Sequence, residues 1–192
     1  ICKVMKGIVR DAITDHLNKN KLISSRQHGF VHHKACVTNL LECQHIVSEG
    51  IGANKSVDVL YTDFEKAFDK VSHRKLLIKL EAYGIVGRML KWIESFLRDR
   101  KQRVEMGEAK STWRPITSGV PQGSVLGPLL FVVYINDLPD KIVNDFEMYA
   151  DDSKVIAEVG DKKDSDLQLD INRIKEWCTR WSMSLNSAKC KI

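Results

Sequence analysis

The constraint that bears hardest on this chain is the stretch Met148-Tyr149-Ala150-Asp151-Asp152-Ser153-Lys154-Val155-Ile156. Phe146 to Ala150 and Val155 to Val159 read as strands. The two adjacent aspartates between them read as a hairpin turn, because Asp is poor inside strands and good in turns. Side by side, two carboxylates repel each other and resist burial. A hairpin that holds them between apolar strands calls for a positive partner, and a hard divalent cation with oxygen ligands is the natural one. A solvated Asp-Asp turn would account for the same residues with no ligand.

A second stretch narrows the choice. Ser56-Val57-Asp58-Val59-Leu60-Tyr61-Thr62-Asp63-Phe64 reads as a largely buried strand with Asp63 arriving at its end, and residues 65–73 read as a turn into a helix. A carboxylate at the end of a core strand needs a partner, since an unpaired buried charge is very costly. Lys66 or Lys70 would serve in a purely structural arrangement. The functional alternative brings Asp63 beside Asp151 and Asp152, three carboxylates around two magnesium ions about 3.5–4 Å apart.

At 192 residues the chain suits one large domain or two lobes sharing a core, and 43% apolar with 29% charged residues is a globular composition rather than a disordered one. A net charge of +5 permits an anionic partner such as nucleic acid without demanding one. Cys2, Cys36, Cys43, Cys178 and Cys190 are scattered and contain no C-x-x-C pair, which points to reduced thiols in an intracellular protein. His28, His32, His33, Cys36, Cys43 and His45 are metal-ligand types, yet their spacing matches no zinc template, and helical burial explains Cys36 and Cys43 equally well. There is no apolar run of about 20 residues and no signal peptide, so no membrane contact is expected. Ile1 is not a native start, and the chain reads as a fragment.

The remaining elements follow from periodicity. Residues 1–20 carry Ile1, Val4, Met5, Ile8, Val9, Ala12, Ile13 and Leu17 at helical spacing, and residues 36–51 do the same with Val37, Leu40, Leu41, Ile46 and Val47. Between them lies an irregular basic loop with Arg26, Gln27, Gly29 and Lys34. Helices are expected from Arg74 to Tyr83 and Arg88 to Leu97, then a hairpin pairing Val104–Met106 with Ser111–Thr117 across Gly107–Lys110. Ser118-Gly119-Val120-Pro121-Gln122-Gly123-Ser124 is a rigid loop opening a very apolar helix, Val125 to Leu138. Ser124 can cap it, and Gly123 would let a substrate approach the backbone closely. A last amphipathic helix, Leu167 to Trp181, leads to Met183–Asn186 and Lys189.

Several of these blocks carry a resemblance. Tyr149-Ala150-Asp151-Asp152, the run Asp63 to Val71, and the run Ser118 to Pro128 together resemble reverse transcriptases. The third block, continuing to Ile135-Asn136-Asp137-Leu138-Pro139, is similar to the jockey-like branch of non-LTR retrotransposon enzymes. Gln27-His28-Gly29-Phe30 and the segment from Trp181 through Leu185-Asn186 to Lys189 fit as well, so the likeness covers essentially the whole chain in order. It implies an α+β fold, the palm of a right-hand polymerase with an antiparallel sheet backed by helices. Residues 1–55 would belong to the fingers, 56–72 to the palm, 73–117 to fingers or palm helices and a hairpin, and 118–192 to the palm. The thumb would be absent, as would an endonuclease domain of the full-length protein.

The implied activity is RNA-directed DNA synthesis from an RNA template, a DNA primer and dNTPs, with two Mg²⁺ ions (Mn²⁺ as a possible substitute). Asp63 and Asp151 would be the principal ligands, Asp152 would complete the acidic triad, and the Phe64 carbonyl would touch the metal. Phe68 matches the family's steric-gate position; otherwise it is core packing. Gln122 and Gly123 match the loop lying against the incoming nucleotide, and Lys189 the lysine near the triphosphate. Arg26, Lys34 and Tyr149 would contact nucleic acid, making template affinity salt-dependent. Two departures stand out. Val31-His32-His33-Lys34-Ala35-Cys36 replaces a basic, glycine-containing run, and Cys190 follows Lys189 where the family prefers Thr. Two other readings share the fold: a truncated or decayed copy without independent activity, and an RNA-directed RNA polymerase. The ring of Phe68 and the Ala-Asp-Asp form of the turn argue against the second.

Overall fold

A computed structural model describes residues 2–159 and 164–192; Ile1, assigned above to the first helical stripe, lies outside them. In chain order the elements are α1 (Cys2–Lys19), α2 (Cys36–Gly52), β1 (Ser56–Thr62), α3 (Ala67–Lys70), α4 (His73–Ala82), α5 (Gly87–Leu97), β2 (Lys101–Gln102), β3 (Glu105–Met106), β4 (Ala109–Lys110), β5 (Arg114–Pro115), α6 (Gly127–Ile135), β6 (Asp145–Tyr149), β7 (Asp152–Val159) and α7 (Asp164–Trp181). A short 3₁₀ turn, Pro139–Lys141, precedes β6.

The main sheet is antiparallel with the order β1-β7-β6. Its middle strand buries Val155, Ile156 and Ala157 in succession, as a strand covered on both faces should. β1 buries only Leu60 and Thr62. It is less enclosed than its apolar sequence suggests because it lies at the side of the ladder, with Ser56 and Tyr61 turned to solvent.

Each outer strand is paired near its aspartate end. Along β6, Met148 donates its N–H to Arg26 O (2.9 Å) and accepts from His28 N–H (2.8 Å). Along β1, Tyr61 exchanges two bonds with Lys191 (2.8 and 3.1 Å), Glu65 N–H donates to Ser184 O (2.8 Å), and Asn186 N–H donates to Asp63 O (2.8 Å). These short segments pair with backbone groups that would otherwise template another strand.

Helices pack on this sheet through one continuous core. α6 is buried from Leu130 to Ile135, which fits its uninterrupted apolar sequence, and it is shorter at both ends than the Val125–Leu138 span expected. The helix is capped at Leu126 with no side-chain cap bond, so Ser124 is not the cap residue expected; its Oγ instead accepts from the first helical amide, Gly127 N–H (2.9 Å), from two residues further out. α1 buries Val9, Ile13 and Leu17, whereas Val4, Met5 and Ile8 stay exposed.

α2 departs further. The apolar stripe expected to face the core, Val37, Leu40 and Leu41, is on the outside, while Asn39 is 2% exposed. The inward face is chosen by the sheet beneath it. Asn39 accepts from Lys154 Nζ (2.9 Å), and Gly50 sits where a Cβ would meet Val57 Cγ2 at 2.6 Å. Cys36 is exposed and Cys43 half-buried, so burial does not account for the first of them.

The hairpin after α5 is also tighter than expected. β3 pairs with β4 across a turn at Gly107-Glu108, and β2 pairs separately with β5. Each ladder holds two residue pairs because the exposed polar sequence between them has no face to bury.

Candidate active site

The site is fixed by one register. Thr62 pairs with Ser153 at the last step of the β1–β7 ladder, and the buried hydroxyls of those two residues lie 2.5 Å apart. One residue beyond that step Asp63 reaches the same sheet end as Asp152, and the two line one cleft. Tyr149 pairs with Asp152 across β6–β7, leaving Ala150-Asp151 as a two-residue turn. Residues separated by nearly ninety positions therefore share one end of the sheet.

The electrostatics reflect that crowding. Burial pushes the Asp151 carboxyl above the usual carboxylate range, the charges of Asp152 and Asp63 add to the rise, and Lys189 opposes it. Lys189 Nζ stands 3.3 Å from Asp63 Oδ2, set there by the tail segment paired along β1. The structural alternatives for Asp63 are not used. Lys70 pairs with Glu65 at 2.5 Å, and no ion pair joins Lys66 to Asp63 among the described residues.

The tip itself is held from the other side. Ala150 has φ +56°, a left-handed conformation unusual for a residue with a side chain. Buried Gln27 holds it there. Its Oε1 accepts from Ala150 N–H (2.9 Å) and Gly29 N–H (2.7 Å), and its Nε2 reaches Ala150 O at 3.5 Å. Gly29 is needed because a Cβ at that position would lie 2.2 Å from Ala150 N. The Gln27-His28-Gly29 run thus acts as a clamp on the aspartate turn, a role the sequence alone did not disclose.

Beside the aspartates opens a cleft of about 320 Å³, whose walls include Asp63, Asp152, Tyr149, Lys154 and Lys189. Asp63 O bonds to the tail at Asn186, so the alternation of carbonyls along an extended chain turns that of Phe64 away from the tail. The Phe64 ring is buried against Trp177, 6.0 Å between centroids. Phe68 is half-buried, stacked on Phe131 at 4.6 Å and edge-on to Phe30 at 6.4 Å.

Other expected site residues are placed less directly. Gln122 and Gly123 are exposed on a loop strapped to α3, where Val120 N–H donates to Phe68 O (2.8 Å) and Gly119 N–H to Val71 O (2.7 Å). Among the described residues, no hydrogen bond joins either of them to the aspartates. Arg26 lies along β6, its Nη1 donating to Phe146 O (3.2 Å) and 3.7 Å from Asp145 Oδ1. Lys34 Nζ donates to Ser25 O. Both cations are engaged internally, away from Asp63. Lys154 and Asn39 line the cleft without having been singled out. Their signal was a lysine two residues after an Asp-Asp turn and a polar residue breaking a helical apolar stripe.

The reverse transcriptase (RNA-dependent DNA polymerase) family model matches residues 1–192. The chain belongs to this family. It is 28% identical over 198 residues to the RNA-directed DNA polymerase from mobile element jockey of Drosophila melanogaster. It is also 28% identical over 196 residues to the probable RNA-directed DNA polymerase from transposon X-element of the same organism. Each alignment takes in 98% of this chain but 22% of the relative, so the chain spans about a fifth of those proteins. In fold it is similar to telomerase from Candida albicans, solved with a TWJ fragment of telomeric RNA, with TM-score 0.72 and 13% identity over 96% of this chain and 34% of that one. Apo telomerase from Candida tropicalis gives 0.71 at 11% identity over 97% of this chain and 36% of that one. The α+β polymerase-palm architecture expected from the sequence is the one found. None of the helices among the described residues is long and apolar enough to cross a membrane.

Proposed function

We propose that this chain is the polymerising core of a non-LTR retrotransposon reverse transcriptase, joining dNTPs to a DNA primer on an RNA template. The observation that carries the reading is the Thr62–Ser153 register, which gathers Asp63 with Asp151 and Asp152 at one sheet end. Their all-oxygen donor set and mutual repulsion suit a hard divalent cation. Asp63, Asp151 and Asp152, with the Phe64 carbonyl, would hold two Mg²⁺ ions, or Mn²⁺ in their place. The ions would supply activation of the primer 3′-hydroxyl and neutralisation of the triphosphate charge.

The protein's own groups then have separable tasks. Lys189, paired with Asp63, would donate a proton to the pyrophosphate leaving group. The Phe68 ring, braced by Phe131 and Phe30, would exclude a ribose 2′-hydroxyl. Gln122 and Gly123 would lie against the nucleotide, while Tyr149, Lys34 and Arg26 would meet nucleic acid; the last two must first leave their internal partners. In this reading residues 1–55 are fingers, 56–72 and 118–192 palm, and 73–117 span both. A thumb and an endonuclease domain would be supplied by the remainder of the longer protein.

The test is primer extension on an RNA template with Mg²⁺, using the chain joined to its natural C-terminal extension. Asp63→Asn and Asp151→Asn should each abolish extension while leaving the circular dichroism spectrum unchanged. Retained synthesis in either variant refutes the ligand assignment. A folded wild-type protein that extends nothing would favour the decayed-copy reading instead.

A further inference from the structure

A second group of ligand-type side chains lies apart from the aspartates, between α2 and β6. His28 is 1% exposed, and its Nδ1 lies 2.7 Å from Thr38 Oγ1. The Thr38 hydroxyl donates its only proton to Ala35 O (2.7 Å) and accepts from Ala35 N–H (3.0 Å). With that proton given to Ala35 O, Thr38 accepts from the imidazole, and in this Nδ1–H tautomer Nε2 carries the lone pair.

That lone pair faces two carboxylates, Glu42 Oε2 at 2.8 Å and Glu147 Oε2 at 3.2 Å. The three ligand atoms lie within 4.8 Å of one another. The Glu147 side chain is 6% exposed, and its Oε2 is buried without a hydrogen-bond donor. Three acceptors thus converge on one point, an arrangement that requires a proton or a cation between them. Lys34 Nζ is the nearest positive group, within hydrogen-bond distance of His28 Nε2 (3.4 Å) while it also donates to Ser25 O. Arg26 Nη1 is 4.0 Å from the other oxygen of Glu147.

We propose that His28, Glu42 and Glu147 form a binding site for one divalent cation of the zinc class, with the Lys34 ammonium standing near that position when the metal is absent. The donor set decides the class. One imidazole with two carboxylate oxygens favours Zn²⁺ over Mg²⁺ or Ca²⁺, which prefer oxygen alone. The Nδ1–H held by Thr38 is the outer-shell hydrogen bond that orients a ligating histidine. Tetrahedral zinc at bonds of about 2.1 Å sets ligand atoms about 3.4 Å apart, so the present separations need only a small outward turn of the exposed Glu42 side chain. Burial raises the Glu147 carboxyl above the usual carboxylate range, and the neighbouring Glu42 charge adds to the rise. The bound ion would tie α2 to β6 and to the segment carrying Gln27.

The test is equilibrium dialysis of the chain against Zn²⁺ alone, in an Asp63→Asn background that weakens the aspartate site, with Co²⁺ as a spectroscopic probe. The expected result is one equivalent of Zn²⁺, and visible Co²⁺ d–d bands without the near-ultraviolet thiolate charge transfer that cysteine ligation would give. Glu42→Gln, exposed and harmless to folding, should weaken binding at least about tenfold, whereas Lys34→Met should tighten it. Failure to take up one equivalent, unchanged affinity in Glu42→Gln, or unchanged affinity in Lys34→Met would each overturn the proposal. None of these outcomes bears on primer extension.

Discussion

Replacing Gln27 with leucine isolates the clamp on the aspartate turn. The residue is fully buried, and its Oε1 is the acceptor for the backbone N–H groups of Gly29 and Ala150 at 2.7 and 2.9 Å. Leucine fills similar space but leaves both amides without a partner, and each buried unsatisfied donor costs about 1–3 kcal/mol. Extra apolar burial returns about 1 kcal/mol, so the net loss should be roughly 1–5 kcal/mol. For a domain of this size that corresponds to a fall in Tm of about 2–20 °C.

Urea unfolding followed by circular dichroism would measure the loss, provided the denaturant slope is unchanged. Native-state hydrogen exchange should also show the Ala150 amide losing more protection than amides in α6. Ala150 is the informative position because its positive φ is held by the two bonds from Gln27. A destabilisation below about 0.5 kcal/mol, the range of ordinary surface changes, would show that the turn stands without Gln27 and would refute the reasoning.

Other perturbations address separate parts of the molecule. Lys79 is 4% exposed among Trp177, Trp181 and Tyr134, with Asp137 as its carboxylate partner and Arg180 nearby. Burial lowers its pKa to about 8 against 10.5 for an ordinary lysine, despite Asp137. The unfolded chain therefore binds the proton more tightly between those values. Wild-type stability relative to Lys79→Met should rise by up to roughly 3 kcal/mol from pH 8 to 10.5, read by urea titration at each pH; a flat difference would contradict the burial penalty. Ser124→Ala removes the bond to Gly127 N–H and should cost about 1 kcal/mol by thermal melting, the usual net worth of one hydrogen bond. Phe68→Ala should relax discrimination against ribonucleotides in primer extension, and an unchanged preference for dNTPs would leave that ring as packing between Phe30 and Phe131.

The parts of the site legible in the sequence were those carried by local pattern. Asp151 and Asp152 announced a turn because two acids interrupt apolar strands, and Asp63 stood out at the end of a strand. Their approach rests on register, which a pattern of period two leaves open by steps of two residues. The Gln27 clamp was hidden for a different reason. A glutamine in a basic loop has no periodicity to mark it, and its distant partner, Ala150, lies more than a hundred residues away. α2 misled because its apolar stripe implied one inward face, whereas the sheet beneath it takes Asn39 and Gly50. Glu147 offered a signal that went unread, an acidic residue between Phe146 and Met148 in a buried strand.

The two short segments along the outer strands, residues 26–28 beside β6 and residues 184–191 beside β1, have a double duty whose consequence concerns failure. Each shields a row of sheet amides and carbonyls, and each also delivers a side chain, Gln27 or Lys189, to the aspartate end. Fraying of either strip would misalign the acidic cluster and, at the same moment, bare a sticky border onto which another molecule could zip. Loss of the proposed activity and self-association should therefore arrive together, from one local event.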